Sequence, residues 1–135
     1  MSVTHRYFSC RVETMATNVG DSRVSPLTVE VTTKEQVTVL SAVGAIDLAT
    51  VETLEAAIEK VIESETGPIV VDLTGVDFLA SAGIALLVAT HQRIDADRGL
   101  AVIADGPVTA RPLMLTGLDE VLHIHTTVDD AVAAY

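Results

Sequence analysis

The stretch that decides the fold runs from Ile69 to Ala89: Ile69-Val70-Val71-Asp72-Leu73-Thr74-Gly75-Val76-Asp77-Phe78-Leu79-Ala80-Ser81-Ala82-Gly83-Ile84-Ala85-Leu86-Leu87-Val88-Ala89. Ile69 to Leu73 is a short apolar run that stops at Thr74-Gly75, the pattern of a central parallel strand buried on both faces. Phe78-Leu79 are expected to return to the core. Ser81 stands where a helix cap belongs, its hydroxyl oxygen within reach of the next free amides.

The helix after Ser81 carries two stripes. Ile84, Leu87, Val88, His91 and Ile94 recur at helical spacing and are expected to face the core. The other side holds Ala82, Ala85, Leu86 and Ala89, and turns polar only at Gln92 and Arg93. With Gly83 in its first turn, this is a smooth, small-residue strip beside a hydroxyl. Such a strip lets a partner's backbone come close, and one added charge spoils the fit. The bland alternative is that another helix of the same chain covers it.

Outward from that unit the pattern is of one class. Leu27 to Thr33 and Val37 to Val43 alternate around a polar Lys34-Glu35-Gln36 turn and predict an antiparallel hairpin. Thr50 is expected to cap a helix with Val51, Leu54, Ile58, Val61 and Ile62 inward, ended at Glu65-Thr66-Gly67-Pro68. After the central unit, Asp97-Arg98-Gly99 is expected to stop the helix. Then come a strand over 100–104, a helix from Pro107 bent by Pro112 and stopped at Gly117, a strand over 121–125, and a last helix capped by Thr127. Strands alternating with helices predict an α/β domain, with a mixed, mostly parallel sheet, an N-terminal hairpin and four helices over residues 27–135. Residues 1–26 lack periodicity and read as a flexible leader.

Composition excludes several functions. In 135 residues the formal charge is −11, aromatics are 3% and Trp is absent. A nucleic-acid backbone and an anionic membrane are repelled by such a surface, and aromatics for base stacking are lacking. Cys10 is the one cysteine, so no intrachain disulfide forms. The opening residues lack a signal-peptide core, and the longest apolar run is too short to span a bilayer, which points to the cytoplasm.

No glycine-rich phosphate loop is present, so no nucleotide cofactor is expected. A hydrolase triad would need a histidine and an acid at Ser81. His91 lies too far down the same helix, and His123 and His125 are on the last strand. His123-x-His125 lacks a third metal ligand. Asp72 reads as a strand-end turn residue; Asp47 stands either at the site or as a loop cap. Neither catalytic nor metal chemistry is expected.

Three segments in order carry a resemblance: Gly44-Ala45-Ile46-Asp47, Val71-Asp72-Leu73 through Phe78-Leu79-Ala80-Ser81-Ala82-Gly83-Ile84, and Leu115-Thr116-Gly117-Leu118. Together they resemble the anti-sigma factor antagonists of the STAS domain family, over about residues 27 to 135. The resemblance implies a switch protein without catalytic activity or cofactor. Its partners would be an anti-sigma factor that is itself a histidine-kinase-like serine kinase, and a PP2C-type phosphatase. The phosphorylated serine falls on Ser81, and the acidic partner-contact residue on Asp47. Relatives commonly carry Asp before the serine, where this chain has Ala80. The other role the family allows is a non-phosphorylated subunit that regulates or scaffolds a transporter or signalling complex.

Overall fold

A computed structural model of the protein describes residues 10–11, 27–94 and 98–135. Six strands lie in one sheet in chain order: β1 (Cys10–Arg11), β2 (Thr28–Lys34), β3 (Val37–Ile46), β4 (Ile69–Leu79), β5 (Leu100–Ile103) and β6 (His123–His125). β2 runs antiparallel to both of its neighbours, β1 and β3, and β3 through β6 are parallel. The hairpin and parallel strands are those the alternation predicts. Glu35 and Gln36 turn the hairpin with φ of 53° and 71°, the left-handed pair that a two-residue connection between twisted strands requires.

Within the expected leader, Cys10 pairs with Val31 and Arg11 with Glu30, at the edge of the sheet. The remainder of the expected leader, His5 included, lies outside the described residues.

Helices α1 (Val51–Ser64), α2 (Ser81–Arg93) and α3 (Ala110–Leu115) connect the parallel strands, and α4 (Val128–Ala133) ends the chain. Leu54, Ala57, Ile58 and Val61 of α1, Leu87 of α2 and Leu113 of α3 share a core with Leu40, Ile46, Val71, Leu73 and Val102. On the other sheet face, Ala131 and Val132 of α4 cover Val39, Val70, Ala101 and Ile103. Residues alternating along β4 and β5 thus enter opposite cores, which is why these strands read as unbroken apolar runs.

α3 spans only Ala110–Leu115: Pro107 falls in the turn before it and Pro112 limits its length, as proline's missing N–H requires. Gly117 closes it at φ 78°, a conformation that costs glycine little. The last strand is shorter than expected, because Leu118–Glu120 wind into a 3-10 turn.

One side chain stabilises α1 from outside it. The Arg98 guanidinium donates to the carbonyls of Gly67 (2.7 Å), Ile62 (3.1 Å), Val61 (3.3 Å) and Glu65 (2.5 Å). A cation here meets both the unpaired carbonyls and the negative end of the helix dipole.

A candidate docking site at the carboxyl ends of β3 and β4

β4 bulges twice against β3. The register runs Ser41 to Asp72 and then Val43 to Gly75, and Gly44 to Val76 and then Ala45 to Phe78. Each break adds one residue to β4 and ends the alternation of sides. The buried positions become Leu73, Val76 and Leu79, with exposed pairs between them. Leu79 enters the core as expected. Phe78 does not: it is 53% exposed, because the second bulge, between Val76 and Phe78, breaks the alternation that would have turned it inward.

Beyond the bulges the Ala80 N–H donates to the Ile46 carbonyl at 2.8 Å. This bond brings the exits of the two strands together, Asp47 following one and Ser81 the other. Open α/β sheets place their sites at such an edge.

Ser81 is exposed, but it is not the cap. Ala80, extended at φ −85° and ψ 168°, holds the cap position, no side chain caps the helix, and Ser81 is its first residue. The Ala80 carbonyl accepts the Gly83 and Ile84 N–H groups at 2.9 and 3.3 Å. The hydroxyl of Ser81 is therefore not consumed by capping.

The buried stripe of α2 is Gly83, Leu87 and Thr90, rotated from the one the apolar residues suggest. Gly83 belongs to the interior. A Cβ there would lie 2.6 Å from Ile46 Cγ2 and 2.8 Å from Leu79 Cδ1, so the missing side chain is what lets the first turn settle on the two strand ends. Thr90 is buried because its hydroxyl is satisfied, donating to the Leu86 carbonyl at 2.8 Å. Leu86 is half-buried against the core instead of lying on the open strip. Exposed with Ser81 are Ala85 and Ala89, and Ala82 is half-exposed. These form a small-residue stripe that starts at the hydroxyl.

Asp47 acts as the loop cap, one of the two readings its position allows. Its Oδ1 accepts the N–H groups of Ala49 (2.9 Å) and Thr50 (3.1 Å) and lies 3.2 Å from the Thr50 hydroxyl. Asp47, not Thr50, is the residue whose side chain caps the start of α1. Thr50 instead ties the strand to the helix: its hydroxyl donates to the Ala45 carbonyl at 2.7 Å and accepts the Asp47 N–H at 3.0 Å. This small loop holds Leu48 outward at 81% exposure, which the sequence pattern does not signal.

Asp72 is the turn residue expected, accepting the Thr74 N–H (3.0 Å) and hydroxyl (2.8 Å). His123 and His125 sit on β6, two strands from β4. Among the described residues no cluster of His, Cys, Asp and Glu is arranged to hold a metal ion.

An exposed hydroxyl at a sheet edge, heading a stripe of small apolar residues, is the geometry of a surface that can meet another protein. The sequence matches the STAS domain over residues 28–131, and the chain belongs to that family. It is 41% identical over 106 residues to the anti-sigma-F factor antagonist RsfB of Mycobacterium tuberculosis strain H37Rv, covering 78% of this chain and 87% of that protein. The crystal structure of an anti-sigma factor antagonist from Mycobacterium paratuberculosis matches with a TM-score of 0.76 and 40% identity, covering 80% of this chain and 92% of that one. The Bacillus cell fate determinant SpoIIAA in its phosphorylated form shares the fold, with a TM-score of 0.59 at 17% identity over 80% of this chain and 97% of that one.

Proposed function

We propose that this protein is an anti-sigma factor antagonist switched at Ser81. Unmodified, it binds an anti-sigma factor that is also a serine kinase, and so releases the sigma factor. Phosphorylation of Ser81 ends that binding, and a PP2C-type phosphatase restores it, all in the cytoplasm. The observation that carries this reading is the exposed Ser81 hydroxyl at the head of Ala82, Ala85 and Ala89. The identity to a protein named as an anti-sigma-F factor antagonist supports it. Ala82, Ala85 and Ala89 are the close contacts, with the open part of Leu86. Gly83 and Asp47 serve the surface from beneath. Among the described residues no helix is long and apolar enough to cross a membrane, in keeping with a site of action off the bilayer.

The switch works by exclusion. A phosphate adds about −1.5 to −2 charges. At the first residue of a helix this anion meets the favourable end of the dipole, worth roughly 0.3–1 kcal/mol, so the domain keeps its shape. A partner closing on the alanine stripe would have to desolvate that anion, which costs several kcal/mol, and about 1.4 kcal/mol is already tenfold in affinity.

Incubation with ATP and an anti-sigma kinase should add a single phosphate, read by mass spectrometry, and Ser81→Ala should abolish it. A second reading is favoured by Ala80 standing where relatives commonly carry Asp: a STAS subunit that regulates or scaffolds a transporter or signalling complex with Ser81 unmodified. A chain that takes up no phosphate yet binds its partner would support that one.

A further inference from the structure

We infer that the corner formed by α3 and the 3-10 turn after it is a contact surface for a second copy of this chain. This goes beyond the Ser81 switch and uses none of its residues. Eight large hydrophobic side chains are exposed among the described residues, and four of them, Val108, Met114, Leu115 and Val121, fall within this one short stretch. Single exposed apolar residues are ordinary, whereas a group of them marks a contact. Met114 and Leu115 are adjacent, at 56% and 74% exposure, and Val121 follows the 3-10 turn at 45%.

The corner is held from within, and its polar groups are used inside it. Leu113 and Leu122 are buried and Leu118 packs against the same core, which fixes the turn at three points. The Gly117 N–H donates to the Met114 carbonyl at 3.0 Å, one bond of the glycine-ended helix stop. The Thr116 hydroxyl lies 2.9 and 3.1 Å from the Pro112 and Leu113 carbonyls. The Val121 and Leu122 N–H groups go to the Leu118 carbonyl at 3.0 and 2.7 Å. Covering this surface therefore strands few polar groups and orders no loop.

The charges select the occupant. Arg111 stands four residues before Leu115, the spacing that shares a helix face, and Asp119 follows beyond the apolar group, beside Glu120. All three are exposed, and among the described residues none of them is in an ion pair. A strip with a cation at one end and acids at the other is complementary to itself across a two-fold axis. The apolar centres meet, and the Arg111 of each copy faces the Asp119 of the other. The formal charge of −11 repels copies at a distance. At physiological salt charges act over only about 8 Å, so the local pattern governs the contact.

The test is sedimentation equilibrium of the full chain at physiological salt. Few side chains meet, the weak end of interface sizes, so the expected dissociation constant is on the order of 100 μM. Leu115→Glu, at an exposed position, should weaken association more than about tenfold with thermal unfolding unchanged. Arg111→Glu should weaken it by a similar factor, and it carries the test should Leu115→Glu fail to fold. The Arg111→Glu/Asp119→Arg double variant, which reverses the pair in both copies, should return to within about threefold of wild type. Ser81→Asp should associate as wild type does, so failure of the switch and failure of this contact are separate results. Wild type that stays monomeric at about 1 mM, or a dimer untouched by both Leu115→Glu and Arg111→Glu, would overturn the inference. A double variant as weak as Arg111→Glu would overturn the two-fold arrangement, and loss of the dimer in Ser81→Asp would move the contact to α2.

Discussion

Two helices start side by side at the same sheet edge, and they start differently. α1 opens on a closed loop, where Asp47 caps two amides, Thr50 links strand to helix, and Glu52 adds an acid to the first turn. α2 opens on Ala80 and Ser81, with no side-chain cap and no acid in the first turn. Most helices satisfy their first amides with a side chain. The contrast teaches a division of labour: α1's start is built to hold a shape, and α2's start leaves a hydroxyl and a positive helix end unused by the fold. The proposed switch needs both, a rigid frame and an unspent site within it.

That contrast can be broken at five points. The largest effect belongs to Ser81→Asp, which should leave melting unchanged yet weaken anti-sigma factor binding by more than about 100-fold in a pull-down or titration. An aspartate variant that binds as wild type does would remove the exclusion mechanism. Next is Gly83→Val, which puts methyl groups where Ile46 and Leu79 already lie; overpacking should cost about 1–3 kcal/mol in urea unfolding. Thr50→Val keeps the shape of the side chain but orphans the Ala45 carbonyl and the Asp47 amide, and should cost about 1–2 kcal/mol by the same measurement. Asp47→Ala removes the α1 cap at a cost near ~1 kcal/mol. Smallest is Ser81→Ala, below about 0.5 kcal/mol, because that hydroxyl caps nothing. A cost for Ser81→Ala equal to that of Asp47→Ala would erase the difference between the two helix starts.

Much of this was legible in the residues. Alternation around Lys34-Glu35-Gln36 marks the hairpin, and the apolar runs at Ile69 and Leu100 mark strands covered on both faces. What escaped has local physical causes. Phe78 reads as core because its neighbours suggest a regular strand, and bulges leave no mark in composition. The core stripe of α2 was set by its large residues, but the inward position in its first turn is Gly83, whose contribution is the absence of a side chain. Ser81 and Thr50 are both good capping types standing before apolar runs. Only the backbone angles and bonding show that Ala80 and Asp47 take those places. Leu48 is a single leucine between two helix signals, and exposure on a locked loop follows from hydrogen bonds no pattern encodes. The sequence therefore locates the family and the strand–serine–helix unit well, and the fine shape of the surface around Ser81 poorly.

The most direct measurement compares the protein carrying phosphoserine at position 81 with the unmodified protein, titrated calorimetrically against the same anti-sigma factor, with an amide spectrum of each. Exclusion on an unchanged domain predicts an affinity loss beyond about tenfold, with spectral changes confined to the neighbourhood of Ser81. Equal affinities for the two forms, or a loss of binding accompanied by changes throughout the sheet, would contradict it.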